Sequence, residues 1–189
     1  MLALPNFLTV LRIVLVPIFA LALWWPGDDA RLIAFAIFCI AGISDALDGY
    51  VARKFNAGSE FGRMLDPIAD KILVGVALMM LVAEGNFDGW KMVPALVILA
   101  REFLVSGLRE FLAGVHVSVP VTFFAKIKTT IQMIAIGAMI LGPMADRIVP
   151  GALAFAYVAL WVAAGLTVAT GYVYLRVGLA YTRTPSAKA

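Results

Sequence analysis

Four aspartates in an otherwise apolar stretch are the residues best suited to chemistry. Asp45 and Asp48 lie three positions apart, and Asp66 and Asp70 lie four apart, so each pair shares one face of a helix. A carboxylate at the centre of a membrane-spanning helix costs about 2.5–3.5 kcal/mol, so such residues usually face a polar cavity, a partner or a metal. Four carboxylates suit hard divalent ions, and we predict a site for Mg²⁺ or Mn²⁺, with two ions.

Zinc binding and purely structural roles are the alternatives to this site. With a single cysteine and a single histidine, the chain has no ligand cluster of the kind that zinc prefers. The aspartates could instead cap helices or pair with nearby basic residues, which is a weak explanation for four acids together. Gly49, Ala52 and Gly62 accompany the acids. Their small size would admit either a ligand or a neighbouring helix, and the sequence leaves both possibilities open.

The elements that must position these acids are transmembrane helices. The chain has 189 residues, 63% of them hydrophobic and 14% charged, with a mean hydropathy of +0.98. A soluble domain is about half apolar and a quarter charged, so we predict a polytopic membrane protein with a single domain, residues 1–189. Because about 20 apolar residues cross a bilayer, six helical spans are predicted. They cover residues 7–25, 31–51, 67–82, 93–111, 129–141 and 151–177.

The distribution of basic residues predicts the orientation of these spans. The second and fourth loops and the C-terminal segment carry most of them, whereas acidic residues dominate the other loops. Lysine and arginine favour the cytoplasmic side, so both termini and the even-numbered loops are predicted to be cytoplasmic. The polar segment after the second span then brings both pairs of aspartates to the cytoplasmic surface.

The aspartate-rich stretch also resembles a known signature. Residues 45–53 read DALDGYVAR and residues 62–70 read GRMLDPIAD, with eight residues between them. This matches D-x2-D-G-x2-A-R-x8-G-x3-D-x3-D, the signature of the CDP-alcohol phosphatidyltransferase family, at every fixed position. The resemblance implies that family's six-helix membrane fold, with homodimers in a bacterial inner membrane and an active site facing the cytoplasm. No nucleic-acid partner is expected.

The resemblance implies roles for individual residues. Asp45, Asp48 and Asp66 match the family's metal ligands, and Asp70 matches a residue that also touches metal and is the proposed general base. The positions that match contacts to the CDP-linked lipid are Asn6, Thr9, Asp45, Gly49, Ala52, Arg53, Ser59 and Gly62.

A second set of residues bears on the acceptor alcohol. Residues 101–110, REFLVSGLRE, and residues 126–133, KIKTTIQM, resemble segments of the phosphatidylglycerophosphate synthases within this family, although Ala125 replaces an expected glycine. An acceptor that carries a phosphate needs cations nearby. The candidates are Arg101, Arg109, Lys126 and Lys128, although anchoring at the cytoplasmic surface would also account for basic residues there.

The predicted reaction transfers the phosphatidyl group of CDP-diacylglycerol to sn-glycerol 3-phosphate and gives phosphatidylglycerophosphate and CMP. The nearer alternative keeps the chemistry but uses serine, inositol, inositol phosphate or phosphatidylglycerol as acceptor. Inositol phosphate would need the same cations, whereas an acceptor without a phosphate would not. The distant alternative is a cation transporter, which often shows inverted repeats and interrupted helices. Neither feature is evident in the sequence.

Overall fold

A computed structural model describes the backbone of residues 3–55, 60–115, 117 and 123–183. Within those ranges it describes all side chains except those of residues 3–6, 46, 48–55, 60–64, 66, 67, 70, 124, 182 and 183. The described chain is all-helical. Its helices are α1 (Ala3–Trp24), α2 (Asp28–Phe55), α3 (Glu60–Ala83), α4 (Met92–Gly114), α5 (Phe123–Leu141), α6 (Pro143–Ile148) and α7 (Ala152–Arg183). A short 3-10 helix, Gly89–Lys91, precedes α4.

Each segment predicted as a span falls on one long helix, but the helices extend beyond the apolar residues. α2 continues to Phe55 and α3 already begins at Glu60, so the polar connection between them is shorter than the sequence suggested. The segment after α5 contains the short helix α6, and α7 runs to Arg183, beyond the last predicted span, which ends at residue 177. Helix formation depends on backbone hydrogen bonds, which continue beyond the apolar surface that marks a span.

Two of the described helices are long and apolar enough to cross a bilayer by length and composition, over Phe7–Trp24 in α1 and Ala152–Tyr181 in α7. A shorter apolar stretch, Lys71–Ala83, lies in α3. α4 contains Arg101, Glu102, Arg109 and Glu110, which lower its mean hydropathy. The same four charged residues line the cavity described below.

The helices pack as two groups that share a core. α1 packs against α2 and α3, whereas α7 packs against α4 and α5, and contacts of α2 with α5 and of α3 with α4 join the groups. Phe19 and Phe38 lie in the first group with ring centroids 6.1 Å apart. Leu160 and Ile136 are fully buried between α5 and α7. Close van der Waals packing of this kind holds helices together in lipid.

Arg31 joins three elements at one end of the bundle. Its Nη1 donates to the carbonyl of Ile140 at 3.0 Å, and its Nη2 pairs with Oε1 of Glu84 at 2.8 Å. Gly142, immediately after α5, has a φ of +58°. A Cβ there would lie 2.6 Å from Nη1 of Arg31, so the turn requires glycine for both backbone conformation and space. Arg31 therefore ties the start of α2 to the ends of α3 and α5.

Glu84 is expected to make the stability of the folded protein depend on pH. Burial raises the pKa of this carboxyl above 4.5, although its pairing with Arg31 and its bond to Asn86 act in the opposite direction. Between 4.5 and the raised pKa the folded protein binds more protons than the unfolded chain, so its stability falls as pH rises. Relative to Glu84→Gln, we expect the melting temperature in detergent to fall as pH rises from 4.5. A relative rise would show that the pairing with Arg31 outweighs burial.

Candidate active site

A cavity of about 460 Å³ lies between the later part of α4, the beginning of α5, the middle of α3 and Tyr174 of α7. All four cations predicted to bind an acceptor phosphate line it: Arg101, Arg109, Lys126 and Lys128. Lys71, which directly follows Asp70 in the chain, also lines it. The structure therefore brings together two basic segments that are separate in sequence and places them beside the helix that carries the second pair of aspartates.

Protein contacts already engage two of these four cations. Lys128 is only 3% exposed, and its ammonium group pairs with Glu102. Arg101 donates from Nε to the carbonyl of Thr167 at 3.2 Å and from Nη2 to the hydroxyl of Thr170 at 3.0 Å. Its Nη1 also lies 3.5 Å from the Glu102 carboxylate. Arg101 consequently holds α4 to α7, and Glu102 lies close to both cations and offsets one of their two charges.

Close backbone packing helps to fix Arg101. A Cβ on Gly171 of α7 would come within 3.1 Å of Cγ of Arg101, a tight contact for real side chains. Glycine at this position lets the arginine stem lie against α7 and reach the hydrogen-bonding groups of Thr167 and Thr170. Small residues at such crossings are common in membrane helices because they permit close approach.

The other two cations remain available to a ligand. Arg109 and Lys126 are exposed side chains on the cavity wall. Within the described residues, neither forms an ion pair with a carboxylate. A phosphate entering the cavity could bind them without first displacing a protein carboxylate, whereas it would have to compete with Glu102 for Lys128. The geometry thus divides the predicted set into two supporting cations and two that can bind directly.

Asp45 is the predicted metal ligand whose side chain the structure describes. Its Oδ1 lies 2.8 Å from Nη1 of Arg12, which is 1% exposed, whereas the aspartate side chain is 46% exposed. Thr9, predicted to contact the CDP moiety, is fully buried one turn before Arg12 on α1. The buried guanidinium orients a carboxylate that is still open on another side.

The side chain of Asp45 fits a hard divalent ion because its only possible ligand atoms are oxygens. Among the described side chains, no three from histidine, cysteine, aspartate and glutamate are grouped closely enough to hold a metal. The side chains of Asp48, Asp66 and Asp70 lie outside the described set, although their backbone positions fall in α2 and α3. The four-carboxylate site therefore stays a prediction.

The remaining predicted lipid-binding residues also lie outside the described side chains. Backbone positions place Asn6 in α1, Gly49, Ala52 and Arg53 in α2, and Gly62 in α3. Ser59 lies outside the described residues altogether. Their proposed contacts to the CDP moiety remain predictions.

Three participants were not assigned from sequence although signals for them existed. Arg12 is a cation inside an apolar segment, where an unpaired charge is costly, and that cost points to a partner. Glu102 follows Arg101 directly, and Gln132 lies within the basic segment of α5. The sequence does not reveal that Glu102 faces Lys128 or that Gln132 reaches the cavity, because both relations join different helices.

Comparison with known proteins confirms the family predicted from the sequence. The family model for CDP-alcohol phosphatidyltransferases matches residues 2–179, which is nearly the whole chain. The match covers the aspartate-rich stretch, the two basic segments and most of α7.

Several curated bacterial proteins are similar over most of their length. The CDP-diacylglycerol–glycerol-3-phosphate 3-phosphatidyltransferase of Rickettsia felis is 48% identical over 173 residues, covering 92% of this chain and 93% of that protein. Its counterpart from Rickettsia prowazekii shows the same identity and the same coverage. The protein of that name from Haemophilus influenzae is 41% identical over 138 residues, covering 72% of this chain and 74% of its own.

Proposed function

Because the chain belongs to the CDP-alcohol phosphatidyltransferase family, we propose that it transfers the phosphatidyl group of CDP-diacylglycerol to sn-glycerol 3-phosphate. The products are phosphatidylglycerophosphate and CMP, in phospholipid biosynthesis. The names of relatives at 48% identity support this acceptor. The observation that carries the proposal is the cavity that presents Arg109 and Lys126 to a ligand beside the aspartate-bearing helix α3.

The acceptor half of the reaction follows from the charges in the cavity. Arg109 and Lys126 bind the phosphate of glycerol 3-phosphate by charge-assisted hydrogen bonds. Glu102 holds Lys128 and Arg101 in place and limits repulsion among the cations, while Arg109 and Lys126 keep the cavity attractive to an anion. An alcohol without a phosphate would leave Arg109 and Lys126 unpaired, which disfavours serine and free inositol as acceptors.

The transfer step is a direct displacement at phosphorus. Asp70 accepts the proton of the glycerol 1-hydroxyl as that oxygen attacks the β-phosphorus. The bond from this phosphorus to the bridging oxygen breaks, and CMP departs with that oxygen. Divalent ions held by Asp45, Asp48, Asp66 and Asp70 would supply charge neutralisation on the pyrophosphate. Arg12 holds the Asp45 carboxylate in position for this role.

The donor and the membrane arrangement complete the proposal. The CDP moiety lies against Asn6, Thr9, Gly49, Ala52, Arg53, Ser59 and Gly62. Six helices cross the bacterial inner membrane with both termini and the cavity on the cytoplasmic side, as the positive-inside distribution predicts. The acyl chains lie in the lipid beside the helices. The 189 residues form one domain, and the protein acts as a homodimer, as its resemblance to the family suggests.

Release of CMP from the purified protein tests the reaction. The protein is incubated with CDP-diacylglycerol, Mg²⁺ or Mn²⁺, and one acceptor at a time: glycerol 3-phosphate, serine, inositol, inositol phosphate or phosphatidylglycerol. We expect metal-dependent release of CMP with glycerol 3-phosphate and formation of a phosphorylated lipid. Release with another acceptor but none with glycerol 3-phosphate would overturn the acceptor assignment. Turnover that persists in excess chelator would overturn the metal assignment.

A further inference from the structure

Gln132 presents an unpartnered polar atom beside the acceptor cavity. It lies one turn after Lys128 on α5, lines the cavity, and is 2% exposed. Its carbonyl oxygen Oε1 is buried and accepts no hydrogen bond within the described part of the chain. Buried polar groups are normally hydrogen-bonded, so this oxygen calls for a donor.

Neighbouring hydroxyl groups on α5 differ in this respect. Thr129 donates to the carbonyl of Ala125 at 3.0 Å, and Thr130 donates to that of Lys126 at 3.2 Å. Those two side chains are satisfied within their own helix. The Lys128 ammonium group, one turn from Gln132, is held by Glu102. The Gln132 carbonyl oxygen on the cavity wall is therefore expected to accept a hydrogen bond from the ligand.

The chemistry of the acceptor substrate identifies that donor. Phosphate oxygens are themselves hydrogen-bond acceptors and cannot satisfy a carbonyl oxygen, so a phosphorylated alcohol can donate to it only through a hydroxyl group. Glycerol 3-phosphate has two hydroxyls, and the proposed mechanism assigns the proton of the 1-hydroxyl to Asp70. We propose, on the basis of the proposed function, that Gln132 Oε1 accepts a hydrogen bond from the 2-hydroxyl and makes Gln132 a specificity-determining residue for the acceptor.

An acceptor that lacks only the 2-hydroxyl tests this role. 3-Hydroxypropyl phosphate keeps the phosphate and a primary hydroxyl at the same separation. A site built to bond a hydroxyl discriminates against an analogue without it, because its own polar group is left unpaired. We expect the unaltered protein to prefer glycerol 3-phosphate by roughly 10–100-fold in kcat/KM. In Gln132→Met, which keeps the side-chain length but lacks the oxygen, the preference should fall to within about threefold.

Thr130→Val provides the matched control. It removes another polar group from the wall of the same cavity, but one that is already bonded within α5. The preference for glycerol 3-phosphate should persist in this variant even if its overall turnover changes. Binding of CDP-diacylglycerol verifies that each variant is folded, and Gln132→Leu replaces Gln132→Met if that variant does not fold.

The results separate this proposal from the proposed function. If the unaltered protein uses both acceptors equally well, or if Gln132→Met slows both by the same factor, the oxygen serves packing or a bound water and the proposal is overturned. If the unaltered protein releases no CMP with glycerol 3-phosphate while turning over another alcohol, the proposed function fails instead.

Discussion

Asp70→Asn is expected to lower kcat by roughly 10²–10⁴-fold, the usual contribution of a general base. The amide keeps the size and hydrogen-bonding capacity of the side chain but cannot accept the proton of the attacking hydroxyl. Binding of CDP-diacylglycerol should survive, because the other three aspartates remain. Steady-state kinetics with glycerol 3-phosphate, together with a binding measurement for the donor, tests both halves of the prediction.

The dependence of rate on pH strengthens this test. Residual activity of Asp70→Asn should lose the acidic limb that reports protonation of the base in the unaltered protein. Asp88→Asn makes the same chemical change before the short helix that leads into α4, away from the cavity, and should retain full activity. Full activity of Asp70→Asn would remove Asp70 from the base role. Loss of donor binding with the loss of turnover would make Asp70 chiefly a metal ligand.

Removing either available cation is expected to weaken binding of the acceptor selectively. Arg109→Gln and Lys126→Gln should each raise KM for glycerol 3-phosphate roughly 10–100-fold, because a hydrogen bond to a charged group contributes about 1.5–3 kcal/mol. KM for CDP-diacylglycerol should stay nearly constant, since these side chains lie on the acceptor cavity. Kinetics that vary each substrate separately measure both constants.

Two further substitutions define what this result means. Lys91→Gln removes an equal charge directly before α4. The cavity lies toward the other end of that helix, so KM for the acceptor should stay unchanged. Arg101→Gln breaks bonds to Thr167 and Thr170 and should lower the melting temperature as well as the activity. Equal effects of Lys91→Gln and Lys126→Gln would indicate a general electrostatic effect at the surface. A parallel rise in the donor KM would place Arg109 and Lys126 at the CDP-lipid.

The sequence predicted the helical class and the general positions of the long helices well, because apolar runs of membrane length leave few alternatives to a helix. Helix ends were predicted less well. α3 begins at Glu60, before its apolar run, and α7 continues through Tyr181. Polar residues at a helix end interrupt an apolar pattern without interrupting the backbone hydrogen bonds that define the helix.

The four cations show the limit of the sequence more sharply. The sequence predicted Arg109, Lys126 and Lys128 near one cytoplasmic surface and Arg101 inside a span, so their common location was predictable only in part. Their different roles were not. Arg101 is bound by groups on α7, and Lys128 by Glu102 on α4, whereas Arg109 and Lys126 are exposed. A list of basic residues cannot distinguish a cation that supports the fold from one that can bind a ligand.

The sequence by itself identified the family, because its aspartate-rich stretch matches the family signature. It also grouped the aspartates in pairs, because regular spacing along one helix fixes which side chains share a face. The tertiary structure alone decided which residues meet across helices. It paired Arg12 with Asp45 and Glu102 with Lys128, and it placed Gln132 on the acceptor cavity. Such contacts depend on how α1, α2, α4 and α5 are oriented against each other, and the packing of whole helices sets those orientations.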